Sequence, residues 1–148
     1  MTHVRGHIVI DRPVEQVFDL VADERNEPSY NPAMTHVEKL TQGPIGTGTR
    51  YRATVSSMGR PVDMLIETTT YERPTVLAST TTMAWASIRG TLTFEADAGL
   101  TRLSWDWDVA PTGPSRMLGP LVGLVGRRQE GRIWAGLKHR LETTADED

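Results

Sequence analysis

Apolar residues recur at every second position through most of the middle of the chain, and at every third or fourth position near its start and its end. Val4, Ile8 and Ile10 share one parity while Arg5 and His7 take the other, which predicts a strand over about residues 3–10 with one buried face. Val14, Val17, Phe18 and Val21 then fall at i, i+3, i+4 and i+7 behind Asp11 and Pro13. This predicts a short amphipathic helix ending near Asp23, with Pro13 at the first helical position, where a missing N–H costs nothing. ERNEPSYNP, residues 24–32, holds two prolines and two asparagines and reads as a turn or one broken helical turn.

From there the period is two. Tyr51, Ala53 and Val55 share a face; so do Val62, Met64 and Ile66, with Leu65 breaking the pattern; so do Ile88, Leu92 and Phe94. Leu103, Trp105, Trp107 and Val109 face one way, and Arg102, Ser104, Asp106 and Asp108 the other. Such segments are antiparallel strands with one face buried. SMGRP (57–61), YERP (71–74) and DAG (97–99) supply turn residues between them, and MTHVEKLT (34–41) and VLASTTTM (76–83) are weaker strand candidates.

After APTGP (110–114), Leu118, Leu121, Val122, Val125, Ile133, Trp134, Leu137 and Leu141 recur at helical spacing, predicting a long helix over about 115–143. One strand, a short helix, six more strands and a long helix is an α+β order: a single antiparallel sheet with its helices on one face. The chain reads as one domain over 1–143 with a frayed tail over 144–148.

Composition narrows the chemistry. A chain of 148 residues is long enough for one self-sufficient core. It has no cysteine, which excludes disulfides, thiolate metal sites and thiol nucleophiles. A net charge of -3 argues against nucleic acid as a partner. MTHVRGHIVID alternates where a secretory signal would be continuously apolar, so a soluble cytoplasmic protein is expected. The apolar run MLGPLVGLVG (117–126) contains Pro120 and is too short for a bilayer span of about 20 residues, so stable membrane insertion is not expected. Oligomeric state is not readable from these features.

The element order, together with PVEQVFDLVADERNEPSYNP, TQGPIGTGTRYR, TTTYERP and LTRLSWDWDV ahead of the last helix, resembles the START-like (SRPBCC) superfamily, in its polyketide cyclase/dehydrase and lipid-transport branch. The resemblance spans nearly the whole chain. It implies a helix-grip fold, in which a curved seven-stranded antiparallel sheet wraps the long C-terminal helix around an apolar cavity. It also implies a hydrophobic small molecule as ligand: a lipid, a quinone or a polyketide-like compound. Many relatives carry tryptophan where this chain has Tyr30.

On that reading Tyr30, Tyr51, Val55, Met64, Ile66, Phe94, Trp105, Trp107, Leu118, Leu121, Val122 and Val125 line the cavity or its rim. Trp105 and Trp107 either fill the core or form a wall on which a ligand lies. Covering roughly 300 Å² of apolar surface is worth on the order of 7 kcal/mol, of which association consumes about 4 kcal/mol or more, so apolar burial alone predicts a loose binder. Gly119, Gly123 and Gly126 each weaken the helix by about 1 kcal/mol, either for close packing on the sheet or as a yielding gate. Arg127, Arg128, Arg132, Lys138, His139 and Arg140 make a basic helix half that suits the negative end of the helix dipole.

Catalytic motifs are not evident: His3, His7, His36 and His139 are scattered, and His36 shares the parity of Met34 and Leu40. Tyr30, Asn31, Tyr51, Thr68 and Arg116 are the polar groups placed closest to a cavity. Glu67, Asp106 and Asp108 share the polar parity and read as solvated surface; no metal or cofactor is expected. GPIGTGT (43–49) invites a phosphate-loop reading, but a strand follows it and a Lys does not. The glycine-rich hairpin of the birch pollen allergen type is similar, which makes this a tight connection near the cavity mouth. Three functions remain open: binding of a hydrophobic small molecule, cyclase, aromatase or dehydratase chemistry in the same cavity, and a protein-interaction groove.

Overall fold

A computed structural model describes residues 2–57, 59–112 and 119–144, and of residues 2, 119–127 and 144 the backbone alone. Seven strands, β1 (Thr2–Ile10), β2 (Met34–Lys39), β3 (Arg50–Ser57), β4 (Arg60–Glu72), β5 (Val76–Met83), β6 (Ala86–Asp97) and β7 (Leu100–Pro111), form one antiparallel sheet in the order β1-β7-β6-β5-β4-β3-β2. Strands β2 to β7 are a meander of hairpins, and β1 closes back onto β7. The first two strands are therefore opposite edges of the sheet. Helix α1 (Val14–Ala22) and a 3₁₀ segment (Glu24–Ser29) make the connection across it, and helix α2 (Gly119–Thr144) follows the last strand. This is the α+β arrangement expected from the element order, and the helix-grip architecture that the resemblance implies.

The period-two parity sets the inner face. Register places Val4 beside Trp107, Gly6 beside Trp105 and Ile8 beside Leu103, while Leu92 flanks Trp105 and Gly90 flanks Trp107 on the other side. Both glycines make room for an indole: a β-carbon on Gly6 would lie 2.4 Å from the Trp105 ring, and one on Gly90 1.3 Å from that of Trp107. Glycine inside a strand marks such close approach. Phe18 of α1 packs edge-on against Phe94 and Tyr71 at centroid distances of 5.0 and 5.3 Å.

Helix α2 buries Ile133, Trp134, Leu137 and Leu141 along one stripe. Polar clasps fix it to the first strand and the turn after it. The Lys138 ammonium donates to the Val9 carbonyl at 2.8 Å, and Arg12 donates to the carbonyls of Leu141 and Glu142 at 2.9 and 2.8 Å. The last carbonyls of a helix have no partner within it, so an arginine there satisfies them and meets the dipole. At Gly136 a β-carbon would stand 2.4 Å from the Tyr30 carbonyl oxygen, so the helix backbone rests directly on the end of the 3₁₀ segment.

Two local expectations are corrected, and one break in the alternation is explained. Pro13 is the residue before the helix, extended at φ -61 and ψ 147, and not the first helical residue. His36 faces out: the register shifts between Met34 and His36, so that Val37 packs inward and His36 and Leu40 are exposed. A bulge adds a residue to one strand, and alternation beyond it is inverted. The break at Leu65 reflects its outward position at 50% exposure; β4 itself continues to Glu72, with a second register shift between Thr68 and Thr70. Residues 145–148 of the expected tail lie outside the described residues. Among the described residues no helix is long and apolar enough to cross a membrane.

Candidate functional site

The inward tryptophans meet α2 at the centre of the molecule. Trp105 stacks on Trp134 with centroids 5.8 Å apart and an interplanar angle of 29°, and Trp134 in turn stacks on Tyr30 at 6.4 Å and 29°. Three rings thus run from the sheet through the helix to the end of the 3₁₀ segment. Trp107 completes the wall, partly buried against the same core.

A carboxylate sits in this aromatic setting. Glu130, one helical turn before Trp134, accepts the indole N–H of Trp107 at 2.8 Å and that of Trp134 at 2.9 Å on the same oxygen, Oε2. Burial pushes its pKa up to about 7, against the lowering effect of the two indole donors. A group poised there exchanges its proton within the physiological range.

Two more acids face the same interior. Successive turns of a 3₁₀ helix eclipse residues three apart, which brings Glu24 and Glu27 to one side. Glu27 accepts from the Asn31 amide at 2.9 Å. Burial, and after it the neighbouring Glu27, hold the Glu24 carboxyl well above the usual carboxylate range, and burial raises Glu27. Oxygen Oε2 of Glu24 is buried without a hydrogen-bond partner. Burial and then the Glu27 and Glu24 charges raise the Tyr30 phenol, and burial raises that of Tyr51 to about 12. Glu24, Glu27 and Glu130 are half-buried and keep some accessible surface.

The expected lining residues separate into two groups. Tyr30, Phe94, Trp105 and Trp107 belong to the core beneath α1 and α2. Tyr51 and Ile66, with Val55 and Met64 packed against them, belong to a second cluster under β2, together with Met34 and Ala53. Asn31 and Thr68 are buried. Leu118 and Arg116 lie outside the described residues; Leu121, Val122, Val125 and Arg127 lie on α2 with their side chains outside them. Of the basic helix half, Lys138 is engaged with Val9 and Glu142, while Arg128, Arg132 and His139 are exposed.

Sequence reasoning missed Glu24, Glu27 and Glu130. Glu130 had a legible signal, standing three, four and seven residues before Ile133, Trp134 and Leu137, on the stripe that faces the sheet. For Glu24 and Glu27 the spacing of three is a signal only once the segment is known to be 3₁₀.

The outer face of the sheet is a different surface. His3 lies between Asp106, at 2.7 Å, and Asp108, while Glu67 pairs with Arg50 at 2.7 Å and does not join them. Among the described residues His3, Asp106 and Asp108 form the set whose ligand atoms lie within 4.8 Å of one another, as a metal would require. Each imidazole nitrogen faces one of the two carboxylates. In the glycine loop Gly43 and Gly48 take positive φ of 92° and 94°. The Gly46 N–H donates to the Thr49 hydroxyl at 3.0 Å and the Gly48 N–H to the Thr68 carbonyl at 2.8 Å, so two of the amides a phosphate would need are bound within the fold.

Solved structures share this architecture at low sequence identity. A START superfamily protein from Mycobacterium smegmatis is similar with a TM-score of 0.85 and 16% identity, over 97% of this chain and 99% of that one. The protein TTHA0849 of Thermus thermophilus gives 0.82 and 22%, over 96% and 98%. The Zhui aromatase/cyclase from a Streptomyces species gives 0.81 and 17%, over 95% and 93%. Among curated protein sequences none matches significantly. The family model described as polyketide cyclase / dehydrase and lipid transport matches residues 1–142, and with that the chain belongs to this family.

Proposed function

We propose that the protein binds a hydrophobic small molecule between the inner face of the sheet and α2, storing, carrying or presenting it. The observation that carries this reading is the run of stacked rings Trp105, Trp134 and Tyr30, with Trp107 beside it. Large rigid aromatic surfaces bind apolar bodies at little conformational cost, and the family's description includes lipid transport. The test is solvent extraction of the purified protein followed by mass spectrometry, together with titration of apolar probes read by tryptophan fluorescence. Retained or saturably bound apolar compounds support the reading. Extracts with none, and no saturable fluorescence change, sink it.

A second reading, cyclase- or dehydratase-type chemistry, is favoured by Glu130. A carboxyl titrating near 7 is suited to give or take a proton from a bound polyketone. Turnover of a polyketide-type substrate that follows an ionisation near pH 7 and is lost in Glu130→Gln would establish it. Binding of the same compound without conversion would leave the protein a carrier.

A further inference from the structure

We propose that the ligand carries an uncharged oxygen, a carbonyl or a hydroxyl, on its apolar body, and that the hydroxyls of Thr68, Ser79 and Thr81 on the inner face of the sheet bind it. This rests on the small-molecule reading above and names the ligand's class and its place in the interior.

Burial divides the inner face in two. Trp105, Trp134 and Tyr30 keep only 8, 4 and 4% of their surface, and both faces of Trp134 are covered by the other two rings. That stack is a closed end wall. Toward the β3–β4 and β5–β6 hairpins the burial changes: Val55, Met64, Met83, Ile88 and Trp107 all have inward parity, yet each is only half-buried. Strands β3 to β7 have a neighbour on both sides, so this exposure is not that of a sheet edge. The ladders join these positions into one patch, with Met64 beside Ala53, Thr81 between Ile66 and Ile88, and Ile88 beside Val109. Inward residues of a sheet that a helix packs upon are otherwise covered. The patch is therefore the part of the interior with room for a ligand.

Hydroxyls interrupt it at its centre. Thr68 and Ser79 pair directly across β4 and β5, and Thr81 follows Ser79 on the same parity. Thr68 is buried, and Ser79 and Thr81 are half-buried. None of the three hydroxyls makes a hydrogen bond among the described residues. A hydroxyl facing an apolar enclosure without a partner is costly, and a ligand oxygen placed there supplies the partner. Because a hydroxyl both donates and accepts, the site serves a ligand carbonyl as well as a ligand hydroxyl. The inward neighbours Ile66, Leu77, Ile88 and Gly90 carry no counter-charge for an ion, and the Glu130 carboxyl beside Trp107 opposes an anion. What remains favoured is an uncharged oxygen.

Tetralin and 1-tetralone share one bicyclic body and differ by a single carbonyl oxygen. Titration of each into the full chain, read by calorimetry and by methyl NMR, is the test. 1-Tetralone is expected to bind about fivefold more tightly than tetralin, against the order of their hydrophobicity. In the double variant Ser79→Ala with Thr81→Val the ratio should fall to about one or below, because the carbonyl then enters without a partner. Tetralin affinity should hold. Ser79→Ala alone and Thr68→Val alone should each narrow the ratio; if the variants fail to fold, the wild-type ratio and the NMR shifts decide. Binding should move the methyl signals of Val55, Met64, Met83 and Ile88 and leave those of Leu137 and Leu141 in place. Tetralin binding as tightly as 1-tetralone to the wild type, a ratio unmoved by the substitutions, or shifts confined to the buried stripe of α2 would overturn the inference and leave the small-molecule reading standing. Failure of both probes to bind overturns both.

Discussion

Trp107 on β7 and Glu130 on α2 meet across the interior, the indole N–H donating to the carboxyl at 2.8 Å. Trp134 donates to the same oxygen from the helix side, so one acid joins the sheet's inner wall to the helix that lies over it. Its proton is held more firmly in the folded protein than in the unfolded chain, because burial outweighs the two donors.

That difference has a direction. A carboxyl whose folded pKa is raised to about 7 contributes fully below the ordinary carboxylate range near 4.5, and its contribution is lost as pH climbs through about 7. Glu130→Gln keeps an acceptor for the indoles and removes the titration. The variant should gain on the wild type by up to about 3 kcal/mol between pH 5 and pH 8. Urea unfolding curves that stay parallel across that range would contradict the raised pKa.

Gly90 admits the Trp107 ring, which lies 1.3 Å from where a β-carbon would stand. Gly90→Ala must therefore push the indole away from Glu130. A loss of about 1–3 kcal/mol is expected, as for other overpacked sites, with a change in tryptophan emission. A variant with wild-type stability and emission would show that the ring moves freely.

Arg12 holds the C-terminal end of α2 through the Leu141 and Glu142 carbonyls. Arg12→Ala should reduce stability by about 1.5–3 kcal/mol, the range for hydrogen bonds to a charged group. The loss should appear as faster amide exchange in the last turn of α2 before the sheet is affected. Uniform exchange through the whole fold would count against a local clasp.

The glycine loop offers no anion site at the amides of Gly46 and Gly48, which are already donated to Thr49 and Thr68. Titration with ATP or inorganic phosphate should show no saturable binding at this hairpin. Amide NMR shifts of Gly46 and Gly48 that saturate with phosphate would refute this.

Most of the architecture was legible because its signals are local. Alternation across β7 placed Trp105 and Trp107 on the inner face, and the stripe Ile133, Trp134, Leu137 and Leu141 identified the helix that covers them. Turn glycines marked the hairpins, since a positive φ is readily met by glycine alone. Parity counting failed at His36, where one extra residue inverts every side chain beyond it and leaves no compositional trace. Nor could spacing show that the predicted lining divides into a core beneath the helices and a second cluster under β2.

Helical and strand periods, set by backbone geometry, were determined by the sequence on its own, and so were most of the faces they bury. Only the tertiary structure decided that Glu24 and Glu27, from the 3₁₀ segment near the start of the chain, come within electrostatic reach of Glu130 on the last helix, beside stacked rings. The physical reason is that a carboxyl's proton affinity depends on what surrounds it in space. That environment is assembled by the crossing of α2 over the sheet, which no local period encodes.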